Sequence, residues 1–262
     1  MSVLTAPYVQ GTPCWVDLMA PDQQAAIDFY SDLLGWHGET GPAEFGGYAV
    51  CELRGKAVGG IGPSMSLDNQ PPPPTAWTTY IAVDDIEETA AKVAANGGTT
   101  LMPPMRVGDQ GHMLVFADPT GAVAGAWQHL EFAGAERVNE PGALTWNELN
   151  TRDLDTAVRF YQAVFGTRFE SMPEMPSYKG MLAGGRVVGG AQTLTDAPTE
   201  IPAHWLTYFA VDDTDSTVDA AVRAGSTLLM APFDMAAGRM AVLQDPQGAV
   251  FAIIKSSTPP DS

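Results

Sequence analysis

Apolar and polar positions along the chain change period several times, and each change predicts an element. Residues 15–19, Trp-Val-Asp-Leu-Met, alternate like a strand. Pro21 and Asp22 then open a helix whose apolar positions Ala26, Ile27, Tyr30, Leu33 and Leu34 keep helical spacing until Gly35 ends it. Short β-type runs follow at 48–53 and 57–61. The block Pro71–Pro74 reads as a stiff, extended connector. Residues 78–83 form the next strand, Asp84 and Asp85 cap a helix running to about Ala95, and Gly97-Gly98 stops it. Strands at 113–116 and 123–128 flank the turn Asp118-Pro119-Thr120-Gly121. The unit predicted is strand, helix, then two or three strands, and it cannot cover a helix face alone.

The same order returns in the second half. Trp15–Trp36 matches Trp146–Thr167 without a gap, 131 residues on. Ala57–Gly62 matches Val187–Gln192 at 130, Trp77–Asp85 matches Trp205–Asp213 at 128, and Asp118–Val123 matches Asp245–Val250 at 127. Each lost residue falls between matched blocks, so loops were trimmed while elements were kept. The chain therefore reads as a duplicated domain, 1–133 and 138–262, built from four βαβββ units. Which units pair, first with second or first with fourth, stays open at this level.

Charge narrows the partners. With 13 Lys plus Arg against 31 Asp plus Glu, the net charge is −18. Such a chain cannot neutralise a phosphate backbone, nor is it drawn to an anionic membrane, so nucleic acid and membrane are excluded as partners. No apolar run approaches a membrane span and the N-terminus lacks a Sec-type pattern, which predicts the cytoplasm. Cys14 and Cys51 have no metal or redox spacing and read as ordinary buried thiols.

Phe29-Tyr30 with Leu34-Gly35, Phe160-Tyr161 with Gly166, the repeated Val-Asp-Asp at 83–85 and 211–213, and the Asp-Pro-x-Gly turns at 118 and 245 recur in order. This set resembles the vicinal oxygen chelate superfamily, which includes glyoxalase I, bleomycin- and fosfomycin-resistance proteins and extradiol dioxygenases. The tandem form is most similar to an actinobacterial group that includes a mycobacterial secreted antigen and accessory proteins of polyketide-antibiotic clusters. The resemblance implies an α+β fold in which the four units pair into two U-shaped mixed β-sheet cups with helices outside. It also implies a divalent metal at each cup floor, held by His and Glu from four strands, to grip vicinal oxygens. Counting back from the shared motifs, those positions fall on Trp15, Gly60 (or Gly59), Thr78 and Gly125, and on Trp146, Gly190 (or Gly189), Leu206 and Ala252. None of these is a competent ligand. His37, His112, His129 and His204 do not fill the gap: two sit at element ends, His112 is expected in a loop, and His204 two residues before its strand. The expectation is no metal and no other cofactor.

Strand alternation aims Trp15, Asp17 and Met19 into the first cup and Trp146, Glu148 and Asn150 into the second. Tyr80 and Tyr208 share those faces with Thr78 and Leu206. An indole beside the small residues Gly60, Gly125, Gly190 and Ala252 suggests a flat slot for a planar ring. Asp17 and Glu148, costly to bury unpaired, are expected in a solvated pocket. Duller readings stand beside these. The tryptophans can plug a degenerate cup, the glycines can be bulges, and Met102, Met105, Met230, Met235 and Met240 can be plain packing.

Three functions fit. The first is a metal-independent protein binding a small, planar metabolite or antibiotic, in drug resistance or biosynthesis. The second is a glyoxalase-like lyase or isomerase, or a natural-product tailoring enzyme (a hydroxylase or cyclase partner), with Asp17 or Glu148 as base and Tyr80 or Tyr208 as acid or oxyanion donor. The third is a structural protein with filled cups. The protein is expected as a monomer or homodimer.

Overall fold

A computed structural model describes residues 2–4, 6–64, 73–172, 175–195 and 197–257. The connector expected at Pro71–Pro74 lies outside them at its first two residues. The first half runs β1 (Ser2–Val3), β2 (Pro13–Ala20), α1 (Gln23–Leu34), β3 (Ala49–Glu52), β4 (Ala57–Pro63), β5 (Trp77–Ala82), α2 (Ile86–Ala95), β6 (Thr99–Val107), β7 (Gly111–Ala117) and β8 (Val123–His129). After β9 (Arg137–Val138) the second half runs β10 (Leu144–Thr151), α3 (Leu154–Phe165), β11 (Arg168–Met172), β12 (Met175–Ala183), β13 (Arg186–Thr193), β14 (His204–Ala210), α4 (Thr214–Arg223), β15 (Thr227–Met235), β16 (Gly238–Gln244) and β17 (Val250–Ser256).

The helix boundaries are set by local chemistry. Asp22, Asp85, Asp153 and Asp213 each accept a hydrogen bond from the backbone N–H three residues on. Gly35 and Gly166 close α1 and α3 in the left-handed region, at φ 75° and 70°.

One sheet has the order β3-β4-β2-β5-β8-β7-β6, and the other contains β11-β12-β13-β10-β14-β17-β16-β15. The first unit therefore joins the second through antiparallel β2–β5, and the third joins the fourth through β10–β14. This fills in the pairing that the sequence left open, and the two mixed sheets are the U-shaped cups of the expected α+β fold. The short β1 pairs with β9, which adjoins β10, so the N-terminus is tied to the second sheet.

Hydrophobic burial follows the other pairing. One core joins Val16, Leu18, Ile27, Tyr30 and Trp36 to Phe209, Val218 and Phe251, so the first unit packs against the fourth. The other joins Val93, Leu114 and Phe116 to Leu149, Phe160, Tyr161 and Phe165. Residues on the outer faces of the sheets thus fill cores shared between the halves. The motif residues act here. The Tyr30 hydroxyl donates to Asp245 of the second turn at 2.9 Å and accepts from Trp77 Nε1 at 3.0 Å.

Candidate functional site: two unequal cups

Cross-strand register brings the predicted residues together in two clusters. In the first cup Asp17 stands opposite Gly60 on β4 and Thr78 on β5; Trp15 stands opposite Tyr80, and Tyr80 opposite Gly125. In the second, Glu148 stands opposite Gly190 and Leu206, Trp146 opposite Tyr208, and Tyr208 opposite Ala252. Met19 and Asn150 follow two residues further along β2 and β10, on the same faces. Val16 and Leu18, of opposite parity to Trp15 and Asp17, point into the shared core.

The glycines do not leave a bare slot. Each floor is filled by a tyrosine that the sequence reading did not assign. A Cβ on Gly60 would lie 1.8 Å from the Tyr48 hydroxyl, and one on Gly190 would lie 1.8 Å from the Tyr178 hydroxyl. Each of those hydroxyls accepts the indole N–H of its tryptophan at 2.8 Å, from Trp15 and Trp146 respectively. Gly125 likewise lies flat against the Tyr80 ring, within 2.3 Å of two ring carbons for a built Cβ. The open slot expected from indole beside glycine is thus corrected: small residues are required because phenol rings lie over them. Phe132, from the segment joining the halves, packs edge-on against Trp15 at 4.9 Å, leaving that indole 6% exposed. Trp146 is half-buried.

The carboxyls are buried, not solvated. Asp17 and Glu148 are each 4% exposed. Burial pushes the Asp17 carboxyl up to about 7, against the opposing pull of the nearby Tyr80, Tyr48 and Thr78 hydroxyls. Among these contacts Tyr48 donates to Oδ2 at 3.4 Å, while Oδ1 is buried with no hydrogen-bond partner. Glu148 is also pushed up by burial, again opposed by its polar neighbours, but its Oε1 accepts from Gln192 at 2.8 Å, Tyr208 at 3.1 Å and Asn150 at 3.2 Å. Burial first, and then the adjacent carboxylate, holds the Tyr80 and Tyr208 phenols well above their ordinary range.

The donor set does not suit the divalent ion implied by the resemblance. Each cluster offers one carboxylate among phenols and indole. His112, expected in a loop, lies on β7 in register with Gln128, whose side chain bonds to the start of α2, so the imidazole faces away from the cup. His204 begins β14 instead of preceding it, and pairs with Asn150 at the second cup's edge, its Nδ1 2.9 Å from the Pro202 carbonyl. Among the described residues, no three His, Cys, Asp or Glu side chains converge. Imidazole-and-carboxylate coordination has no counterpart in either cluster.

Above the clusters the inner walls are apolar. Val50 pairs with Gly60 and is 43% exposed, and Met105 pairs with Met113 and is 45% exposed. Opposite them in the second cup, Met230 pairs with Val242 and Phe233 with Met240, at 49% and 38% exposed. Met105 and Met230 are therefore not the packing residues that a bland reading makes them. Met240 is buried, and Met102 and Met235 are half-buried.

The glyoxalase/bleomycin resistance protein/dioxygenase superfamily model matches residues 14–124 and again 143–253. The chain is 44% identical over 253 residues, 95% of its length and 96% of the relative's, to the protein named "Putative glyoxylase CFP32" of Mycobacterium tuberculosis. It is 35% identical over 264 residues, 95% of this chain and 94% of the relative, to the anthracycline biosynthesis protein DnrV of Streptomyces peucetius. Among solved structures, the Mn(II)-bound glyoxalase from Novosphingobium aromaticivorans shares the fold with a TM-score of 0.63 at 15% identity, covering 96% of this chain and 86% of that one. Matched by the family model in both halves, the chain belongs to the glyoxalase/bleomycin resistance protein/dioxygenase superfamily.

Proposed function

We propose that this protein binds a small, planar, aromatic metabolite or antibiotic in its cups without a metal, in a resistance or biosynthetic accessory role. The observation that carries this reading is the exposure of Val50, Met105, Met230 and Phe233 on inner sheet faces, above clusters of indole, phenol and carboxyl. Apolar walls with a few polar groups at the base suit a flat ring system, and polarizable methionines adapt to its outline. The anthracycline biosynthesis relative points to the same ligand class. Titrating EDTA-treated protein with planar bicyclic to tetracyclic aromatics, followed by tryptophan fluorescence, is expected to give saturable quenching. Absence of saturation across such a panel, or quenching that appears only after a divalent ion is added, would overturn the reading.

A second reading is supported by one feature, the Asp17 carboxyl held at about 7 beside the Tyr80 hydroxyl. That is the range of a general base at neutral pH, and in this reading Tyr80 serves as its acid partner. Under this reading the protein is an enzyme of the kind named among its glyoxylase relatives, acting without metal. Turnover of a dicarbonyl or polyketide-type substrate in EDTA, lost in Asp17→Asn, is the supporting result.

A further inference from the structure

The two inner faces differ at one cross-strand pair. On β2 and β4, Met19 stands opposite Gly62, whereas on β10 and β13, Asn150 stands opposite Gln192. In the second cup the two amides close on the carboxylate. Gln192 Nε2 donates to Glu148 Oε1 and to Asn150 Oδ1, both at 2.8 Å, and Asn150 Nδ2 donates to the same Oε1 at 3.2 Å. With Tyr208 adding a donor at 3.1 Å, that oxygen is saturated from within. The first cup has no amide at either position. A side chain at Gly62 would meet the Met19 sulfur at 2.8 Å, so the methionine also keeps that space empty of donors. Asp17 has one long hydrogen bond, from Tyr48 to Oδ2 at 3.4 Å, with the Tyr80 and Thr78 hydroxyls nearby, and its buried Oδ1 has no hydrogen-bond partner. Half-buried Thr78 and Met19 beside it mark the direction from which a donor can arrive.

We propose that the duplicated cups have parted in function: the first takes a donor from its ligand, a hydroxyl or ammonium group seated on Asp17 Oδ1, while the second is closed by its own amides. The inference rests on the ligand-binding reading and sharpens it. The ligand is planar, carries a hydrogen-bond donor at its inner edge, and binds once per chain. Buried acceptors discriminate strongly against analogues that lack the donor, because the acceptor is then left unpaired.

The test uses calorimetry with 2-naphthol and its methyl ether, which share a ring system and differ by one donor. Wild-type protein is expected to bind one equivalent of 2-naphthol at least about tenfold more tightly than the ether, the size of one good hydrogen bond. Asp17→Leu, which removes the acceptor at similar volume, is expected to lose that preference and bind both compounds alike, with an unchanged near-ultraviolet circular dichroism spectrum marking it as folded. Glu148→Gln is expected to keep the preference. Met19→Asn with Gly62→Gln, which supplies the first cup with the second cup's amides, is expected to lose it. Equal affinities for the two compounds, two equivalents per chain, or an unaffected Asp17→Leu would overturn the inference and leave ligand binding standing. Binding of neither compound would overturn the ligand reading and the inference with it.

Discussion

Asp17 and Glu148 hold the same place in the repeat, yet burial acts on them with different compensation. Glu148 has three donors on one oxygen, whereas Asp17 has one long hydrogen bond on Oδ2, with the Tyr80 and Thr78 hydroxyls nearby, and none on Oδ1. Asp17 therefore shows its desolvation most plainly. In the folded chain its carboxyl titrates at about 7, against a usual 3.8. Between those values the folded state keeps a proton that the unfolded state gives up. Its contribution to stability is complete below about pH 4, falls as pH rises towards 7, and is constant above. Asp17→Asn removes this titration, so its stability relative to wild type is expected to improve by about 2–3 kcal/mol from pH 5 to pH 8. Urea midpoints of the two proteins at both pH values check it, and a pH-independent difference would contradict the buried carboxyl. Alternation along β2 made the facing of Trp15 and Asp17 legible in the sequence. Their burial was not, because it comes from Tyr48, which reaches them across the sheet from the start of a neighbouring run, and from Phe132, which covers Trp15 from the segment joining the halves. One signal was present. Tyr48 precedes Gly60, and Tyr178 precedes Gly190, by the same twelve residues.

At the level of strands, that spacing explains why Gly60 and Gly190 stay glycine in both halves. Their strands must pass beneath a phenol ring held in place by an indole N–H. Gly125 is a different case, since its counterpart Ala252 carries a Cβ beside Tyr208 at the same register. The second half shows that this fold has a version in which the ring gives way. Gly60→Ala is expected to cost about 1–3 kcal/mol through overpacking, and Gly125→Ala distinctly less. Thermal unfolding of the two variants gives the order, and truncating Tyr48 to alanine should recover part of the Gly60→Ala loss. Equal losses would mean that Tyr48 is not held where Gly60 requires it. The same scale shows where sequence patterns run out. Strand β6 holds Pro103 and Pro104 and is mostly exposed, so neither alternation nor propensity announces it; its pairing with β7 shifts register on both sides of Met102. The capped helices, in contrast, fall where Asp22, Asp85 and the glycines placed them.

For the molecule as a whole, hydrogen-bonded sheets and hydrophobic cores divide the four units in different ways. Strand pairing joins first to second and third to fourth, while apolar burial joins first to fourth and second to third. Each half forms a complete sheet yet leaves its outer face dependent on the other. Two polar contacts follow the same crossing, Tyr30 donating to Asp245 at 2.9 Å and Thr79 to Asn147 at 2.8 Å, while Trp36 Nε1 ties the first unit to the third through the Gly142 carbonyl at 2.6 Å. The Gln247 amide bonds both backbone groups of Asp22 at 2.8 Å each, just ahead of α1. Separating the halves would expose Val16, Leu18, Ile27 and Trp36 on one side and Phe209 and Phe251 on the other, all of them now buried. Apolar surface on that scale is not tolerated as a free face. Residues 1–133 produced alone are therefore expected to self-associate or to lose fixed tertiary packing, and mixing them with residues 138–262 is expected to restore one cooperative unfolding transition. Light scattering and near-ultraviolet circular dichroism distinguish these states. A monomeric first half with native-like near-ultraviolet signal and cooperative melting would show that the shared cores are not what holds the duplicated fold together.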